Sequence, residues 1–360
     1  MCDGENVHVI PTNRGREALY LCLRSLDLQP GARIGVPLYS CSVVANTILA
    51  VGLRPIFLDA DPETFGISHE DLEHKVESLD GLVLVHTFGY PVDFDRVRRA
   101  MKGRPIVEDC AHALGSTYRG HKLGSLAPVA FFSFGFFKPL AAGGGGCVVT
   151  RDPAQAQRME SLLCGVPQET FPQALCHAGR CLLYSLLFRQ PAYTALSHLR
   201  RENSGDGGYD SSSRNGHTII ARQLRMRQSD QNVVATRLHS WTGISNEVLE
   251  FWLQVRSRVP KDWRIPPEPT DGKWNHFLLP VCAPTPLART KAVAMLRRHG
   301  IGAAPVYPNR AAALSAAGYI GDCLQAERLA ASVFMLPAHA DLSAGERERI
   351  LQHLALLDLL

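Results

Sequence analysis

Two linked passages decide how the rest of this chain is read: P-I-V-E-D-C-A-H-A-L-G at residues 105–115, and F-F-S-F-G-F-F-K-P-L-A-A-G-G-G-G at residues 131–146. In the first, a short apolar strand over residues 105–108 runs into Asp109. In the second, another apolar run reaches Ser133, then Lys138, then four consecutive glycines. Lys138 lies between Phe137 and Pro139, and apolar surroundings disfavour an ammonium charge and leave a nucleophilic amine. The same lysine could instead bury its stem and keep its head in water. The glycines argue against that, because they let a backbone approach a ligand closely, although a tight turn uses them too.

A carboxylate at a strand's carboxyl end, such as Asp109, can reach a ring nitrogen or cap the next helix. Glu108 alternates to the opposite face and reads as structural. His112, three residues after Asp109, could donate to a cofactor oxygen, lie over a ring, or simply pack. Ser133 could bond a phosphate. The order of acid and lysine suits one job, which is holding pyridoxal phosphate (PLP). The lysine amine joins the cofactor aldehyde, and the acid stays ionised against the ring nitrogen so that the ring can accept electrons.

Upstream, strands and helices alternate. Strands are expected over residues 33–36, 55–58, 81–86 and 105–108, and helices over 43–51, 68–75 and 93–101. Alternation of this kind predicts a mostly parallel sheet with helices on both faces, with ligands beyond the carboxyl ends of its strands. His86 and Asp109 share that edge, and His86 reads as a hydrogen-bonded strand-end histidine. Leu19, Cys22, Leu23 and Leu26 recur at helical spacing in residues 13–26, and the start of that helix near Gly15 could hold an anion. Asp59 and Asp61, in L-D-A-D-P-E-T-F, read as a turn rather than a metal site.

Downstream, residues 153–163 are helical. Residues 181–188 and 193–199 look like apolar helical pieces that cover a core or pack on a partner, and residues 201–217 read as a mobile polar loop. Helical periodicity returns over 228–257. A strand is expected at 276–282, with helices from Pro286 to His299, over 324–334 and over 345–357. The chain therefore divides into a large domain, residues 1–245 with a variable insert at about 167–217, and a small C-terminal α/β domain, residues 246–360.

The chain's 360 residues suffice for a sizeable core. The net charge of +4 is small, so charge gives little support to nucleic-acid or membrane partners. No signal peptide or spanning segment is evident. The ten cysteines show no C-x-x-C spacing, which suggests reduced thiols and a cytoplasmic setting.

Seven pieces, in order, resemble the DegT/StrS family of PLP-dependent sugar aminotransferases. They are G-R-E-A-L-Y-L-C-L, V-P-L-Y-S-C-S-V-V-A-N-T-I, P-I-F-L-D-A-D-P-E-T-F, L-V-H-T-F-G-Y-P-V-D-F-D, V-E-D-C-A-H-A-L-G, S-F-G-F-F-K-P-L and Q-A-E-R-L-A-A-S-V-F-M-L-P-A-H. The resemblance implies the fold-type-I architecture, with Lys138 as the residue that binds PLP and moves protons. It implies that Asp109 pairs with the ring nitrogen, that His112 lies beside the ring, and that Ser133 with the N–H groups of Gly15 and Arg16 holds the phosphate. Cys41 stands where the family often has an aromatic residue stacked on the ring, and Tyr39 or His112 could cover the ring instead. The family's Ser-Gly-Thr phosphate turn is here Arg14-Gly15-Arg16, whose arginines could bind phosphate or face solvent.

The family's asparagine offered to a neighbouring subunit has no match before residues 225–230. A homodimer with shared active sites is implied. So is transfer of an amino group from an amino acid, L-glutamate by resemblance, to a keto sugar, nucleotide-linked in the family. Alternatives within the resemblance are a PLP-dependent dehydratase, an aminotransferase acting on a cyclitol or other small ketone, and a noncatalytic regulatory relative.

Overall fold

The computed structural model describes residues 6–165, 170–187, 225–239, 241, 246–308, 310–338 and 342–359. In chain order the first half contains β1 (His8–Thr12), α1 (Gly15–Ser25), β2 (Arg33–Pro37), α2 (Ser42–Ala50), β3 (Arg54–Leu58), α3 (His69–Lys75), β4 (Gly81–Val85), α4 (Phe94–Met101) and β5 (Ile106–Asp109). A small hairpin, β6 (Thr117–Tyr118) and β7 (His121–Lys122), leads to β8 (Val129–Ser133), β9 (Gly146–Thr150) and α5 (Pro153–Leu163).

The main sheet has seven strands in the order β1-β9-β8-β5-β4-β2-β3. The five strands from β8 to β3 run parallel. β9 and β1 follow in antiparallel steps. Alternation along each strand feeds two cores. Val83, Val85, Val129 and Phe131 enter one, while Leu82, Leu84, Ala130 and Phe132 enter the other. Both faces are covered, which is why the strands read as continuous apolar runs. α1, α2 and α5 close the first face with Leu19, Ile48 and Met159, and α3 and α4 close the second with Leu72, Val97 and Met101. Side-chain caps fix where these helices begin. Ser68 accepts from the Asp71 N–H, Asp93 from Arg96, and Asp152 from Ala154 ahead of Pro153.

The second half contributes α6 (Phe171–Leu187), α7 (Gln228–His239), α8 (Asn246–Arg258), β10 (Gly272–Lys273), β11 (Leu279–Cys282) and α9 (Pro286–Arg298). It ends with β12 (Ala304–Pro305), α10 (Arg310–Leu314), α11 (Leu324–Ser332), β13 (Val333–Leu336) and α12 (Ala344–Leu354). β11, β13 and β12 form an antiparallel sheet with β13 in the middle, and β10 extends the β6–β7 hairpin. The first core runs on without a break into Trp252, Phe334 and Leu354.

Several expectations need correction. The strand expected from 276 begins only at Leu279, because His276 takes a left-handed φ of 46° and turns its Nε2 to both Glu268 oxygens at 3.1 Å. The helix expected to run to 334 stops at Ser332. Val333–Leu336 pairs on both edges, as β-branched and aromatic residues do well. The strand β1 was not foreseen. The apolar piece at 181–188 belongs to the longer helix α6, and residues 193–199 and 201–217 lie outside the described residues. Asp61 does make the expected turn, accepting from the N–H groups of Glu63 and Thr64 at 2.9 and 2.7 Å. Asp59 reaches across the chain to accept from Gln325 and Ala326 at the start of α11, at 3.2 and 2.7 Å.

Candidate active site

Asp109 closes β5 and Ser133 closes β8, and these strands are neighbours in register, Asp109 opposite Phe131. The sheet therefore delivers acid and hydroxyl to one edge, and Lys138 follows in the next loop. Asp109 is buried and accepts the Ala111 N–H at 2.9 Å. Burial pushes its carboxyl up, while that N–H and the Lys138 charge pull it down. His112 is also buried. Burial, and then the Lys138 charge, hold its imidazole well below the usual value, so the ring is neutral. Lys138 thus acts electrostatically on both groups. Phe131, Phe132 and Phe134 are buried beneath the loop, but Phe137 turns outward and is 52% exposed. The aromatic run does not enclose the half-buried lysine as the sequence suggested.

Gly15 opens α1 directly against Ser133. A Cβ at Gly15 would lie 2.7 Å from Ser133 Cβ and 2.9 Å from its Oγ. The N-cap Arg14 makes no side-chain cap. The helix start, the serine hydroxyl and the bare glycine form a shallow cradle that a methyl group would fill, suited to an anion. Positive charge is concentrated here. The Arg14 guanidinium is lowered first by desolvation and then by Arg16, with Arg180 and Arg227 adding to it.

The glycine run serves protein packing rather than close approach to a ligand. A Cβ at Gly144 would lie 3.0 Å from Asp230 Oδ2, and one at Gly146 would lie 2.8 Å from the Arg14 and Gly15 backbone. Gly145 takes a φ of +93° against the Met226 side chain. Cys41 is half-buried at the N-cap of α2. Tyr39 packs edge-on to Phe88 and Tyr307, with ring centroids 6.1 and 5.6 Å away.

His86, Glu108 and Cys110 bring three potential metal-ligand atoms together. Glu108 Oε1 already accepts from the Gly124 N–H at 2.9 Å and faces His86 Nε2 at 3.2 Å. Its Oε2 accepts from Leu126 and Ala127. The Val92 N–H points at His86 Nδ1, so Nε2 carries the hydrogen toward Glu108. This buried carboxylate anchors the 123–127 loop.

Three features of the site were not foreseen. Glu17, one turn into α1, is fully buried, and neither carboxylate oxygen has a hydrogen-bond partner of normal geometry. Burial pushes its carboxyl up to about 7, against the opposing charge and backbone of Arg14. A second feature is a buried polar chain. It links His177 to Asp230 at 2.9 Å and Arg227 to Asn13 at 2.9 Å, with Arg227 and Asp230 3.6 Å apart. The third is Asn275. Its Nδ2 donates to the carbonyls of His112 and Leu114 at 2.6 and 3.0 Å, and its N–H donates to Ser116 Oγ at 3.0 Å. The only sequence signal was a polar residue beside Trp274, since the partners lie far back in the chain.

Comparisons with known proteins find similarity to aminotransferases. The model of the DegT/DnrJ/EryC1/StrS aminotransferase family matches residues 4–178. An L-glutamine:2-deoxy-scyllo-inosose aminotransferase of Streptomyces fradiae is 37% identical over 158 residues, 43% of this chain and 37% of that protein. A GDP-perosamine synthase of Escherichia coli O157:H7 is 36% identical over 143 residues, 39% of each. The matches therefore span well under half of these relatives. The fold extends further. The aminotransferase TlmJ from Streptoalloteichus hindustanus superposes with a TM-score of 0.76 at 23% identity, over 98% of this chain and 86% of that one. The PLP form of the sugar aminotransferase Spr1654 from Streptococcus pneumoniae superposes with a TM-score of 0.77 at 18% identity, over 98% and 87%. Residues 4–178, just under half of this chain, are thus similar to the DegT/DnrJ/EryC1/StrS aminotransferase family.

Proposed function

We propose that the protein is a PLP-dependent aminotransferase that moves an amino group from L-glutamine or L-glutamate to a ketone on a sugar or cyclitol. The convergence of Lys138, Asp109 and His112, with the Gly15–Ser133 cradle beside them, carries this reading. These residues fit the cofactor: a helix start packed on a serine hydroxyl that can face a phosphate, a buried acid at the sheet edge, and an amine within electrostatic reach of both buried groups. When bound, PLP supplies an aldehyde for the amine and a ring that accepts electrons.

The chain's own residues do the rest. Lys138 holds the cofactor through its amine and then takes and returns the proton at the substrate carbon. Asp109, raised by burial, ionises when a protonated ring nitrogen faces it. His112, kept neutral, can sit beside the ring without adding charge. Ser133 Oγ and the start of α1 hold the phosphate, and the Arg14–Arg16 pair adds positive field. A homodimer with shared sites belongs to the same proposal. The name of the Streptomyces fradiae relative supports glutamine as donor and an inosose as acceptor, and the family resemblance adds glutamate.

The test incubates the PLP-loaded protein with each donor and assays the 2-oxo acid released. Borohydride reduction followed by peptide mapping should place the cofactor on Lys138, and Lys138→Met should abolish both signals. Failure of both donors with wild type, or unchanged turnover by Lys138→Met, sinks the reading.

A further inference from the structure

Two strand ends and the C-terminal half of the chain meet at one buried carboxamide, that of Asn275. Its Nδ2 donates to the carbonyls of His112 and Leu114 at 2.6 and 3.0 Å, while its Oδ1 accepts the Phe277 N–H at 3.1 Å. Turning the amide over would set an oxygen against two carbonyls, so its orientation is fixed. The Asn275 N–H donates to Ser116 Oγ, and that hydroxyl donates in turn to the Gly89 carbonyl at 2.7 Å. Trp274 Nε1 donates to the Phe88 carbonyl at 2.9 Å. Residues 274–277 therefore grip the loops after β4 and β5 together. Those loops have no slack between them. A Cβ at Gly89, whose φ is +80°, would lie 2.4 Å from the His112 carbonyl oxygen and 2.5 Å from Asn275 Oδ1. The Phe277 ring stands beside the His112 imidazole, with centroids 6.5 Å apart.

We infer that Asn275 is a positioning residue for the candidate active site, holding the His112 imidazole at a fixed place relative to Asp109. Only two residues separate Asp109 from His112, and both ends of that short span are pinned. Asp109 is pinned by its pairing in the sheet and by the Ala111 N–H. His112 is pinned by its own carbonyl, on the Asn275 amide. Removing the amide takes donors from the carbonyls of two buried residues, so the 110–116 loop must lift or admit water. Either response moves the imidazole, which is now sealed from water and kept neutral, with Lys138 as the charge bearing on it. What the imidazole then does rests on the reading of this site as PLP-binding, because a group beside the cofactor acts well only where it is held in place.

The test uses the full chain with its histidines labelled at the ring nitrogens for NMR, His112→Phe identifying the His112 signals by their loss. Without added cofactor, the wild-type His112 signals are expected to stay in the neutral form between about pH 5 and 8, and those of Asn275→Ala to titrate within that range. With PLP bound, Asn275→Ala should keep the cofactor on Lys138 by borohydride mapping and alter the circular dichroism of its visible band. It should lower kcat about 10- to 100-fold, with KM for the donor within about twofold of wild type. On a His112→Phe background the same substitution should change neither kcat nor the band, because its effect travels through the imidazole. Asn275→Ser, which keeps one donor, should show the same changes to a smaller degree, and it serves if Asn275→Ala does not fold. His112 signals that titrate alike in wild type and variant overturn the inference. So does an equal fall in kcat on both backgrounds, which would make Asn275 a purely structural tie. A wild-type protein that takes up no PLP overturns the reading of the site, while the imidazole titration still decides whether Asn275 holds His112.

Discussion

Glu17 is the residue whose chemistry is least visible from sequence. A glutamate in the first turn of a helix reads as a favourable charge near the positive dipole end. In the folded chain it is sealed from water with no normal hydrogen bond, and its carboxyl rises to about 7. A raised acid contributes stability below its ordinary value, near 4.5, and that stability is lost as pH climbs through the folded value. Urea unfolding across pH 5 to 8 should therefore show stability falling with pH, by at most ~3 kcal/mol from this group. Glu17→Gln should flatten that slope, and an unaltered slope would remove Glu17 as its source. Asp109→Asn tests the other buried acid. It should keep the lysine-bound cofactor on borohydride mapping, yet lower turnover at least about a hundredfold, because an electrostatic partner of the reacting ring is gone. The placement of Asp109 at a strand end and of Lys138 in the following loop was legible because each belongs to a recognisable strand-and-loop unit. Asn275 was not, because its partners lie more than 150 positions away.

Among the elements, the strand-helix alternation of the first half was read correctly, because short continuous apolar runs differ sharply there from the 3.6-residue spacing of the helices and the caps are local. β13 was missed since Val333 and Phe334 continue the periodicity of α11, and only pairing with β11 and β12 reveals a strand. The junction of α1 with β8 makes a sharper test. Gly15→Ala places a methyl group 2.7 Å from Ser133 Cβ, so one element must shift. The expected cost is about 1–3 kcal/mol in stability, together with weaker PLP retention. Ser133→Gly removes the opposing atoms. The double variant should regain most of the stability by urea titration but not the cofactor affinity, since the phosphate-facing hydroxyl is gone. If the second change restores nothing, the close approach is not the cause.

At the scale of the whole molecule, the chain is tied across its length. Asp59 supplies acceptors to the first N–H groups of α11, and Lys75 bridges Asp71 at 3.0 Å and Asp322 at 2.7 Å. Asp59→Ala should cost about 1–2 kcal/mol in global unfolding, as the loss of a helix cap does. A separate, earlier transition for the C-terminal residues would show that these ties do not couple the two halves. Such ties escape sequence reading because each end looks like an ordinary turn residue.

Asn275 bears on how this protein could be recombined with its relatives. The match to the family model ends at residue 178, but the loop carrying His112 is sewn down by an amide almost a hundred residues later. The end of that match is therefore not a seam in the molecule. A chimera that keeps residues 4–178 and accepts a foreign tail will hold its histidine in place only if the graft brings a carboxamide to that stitch.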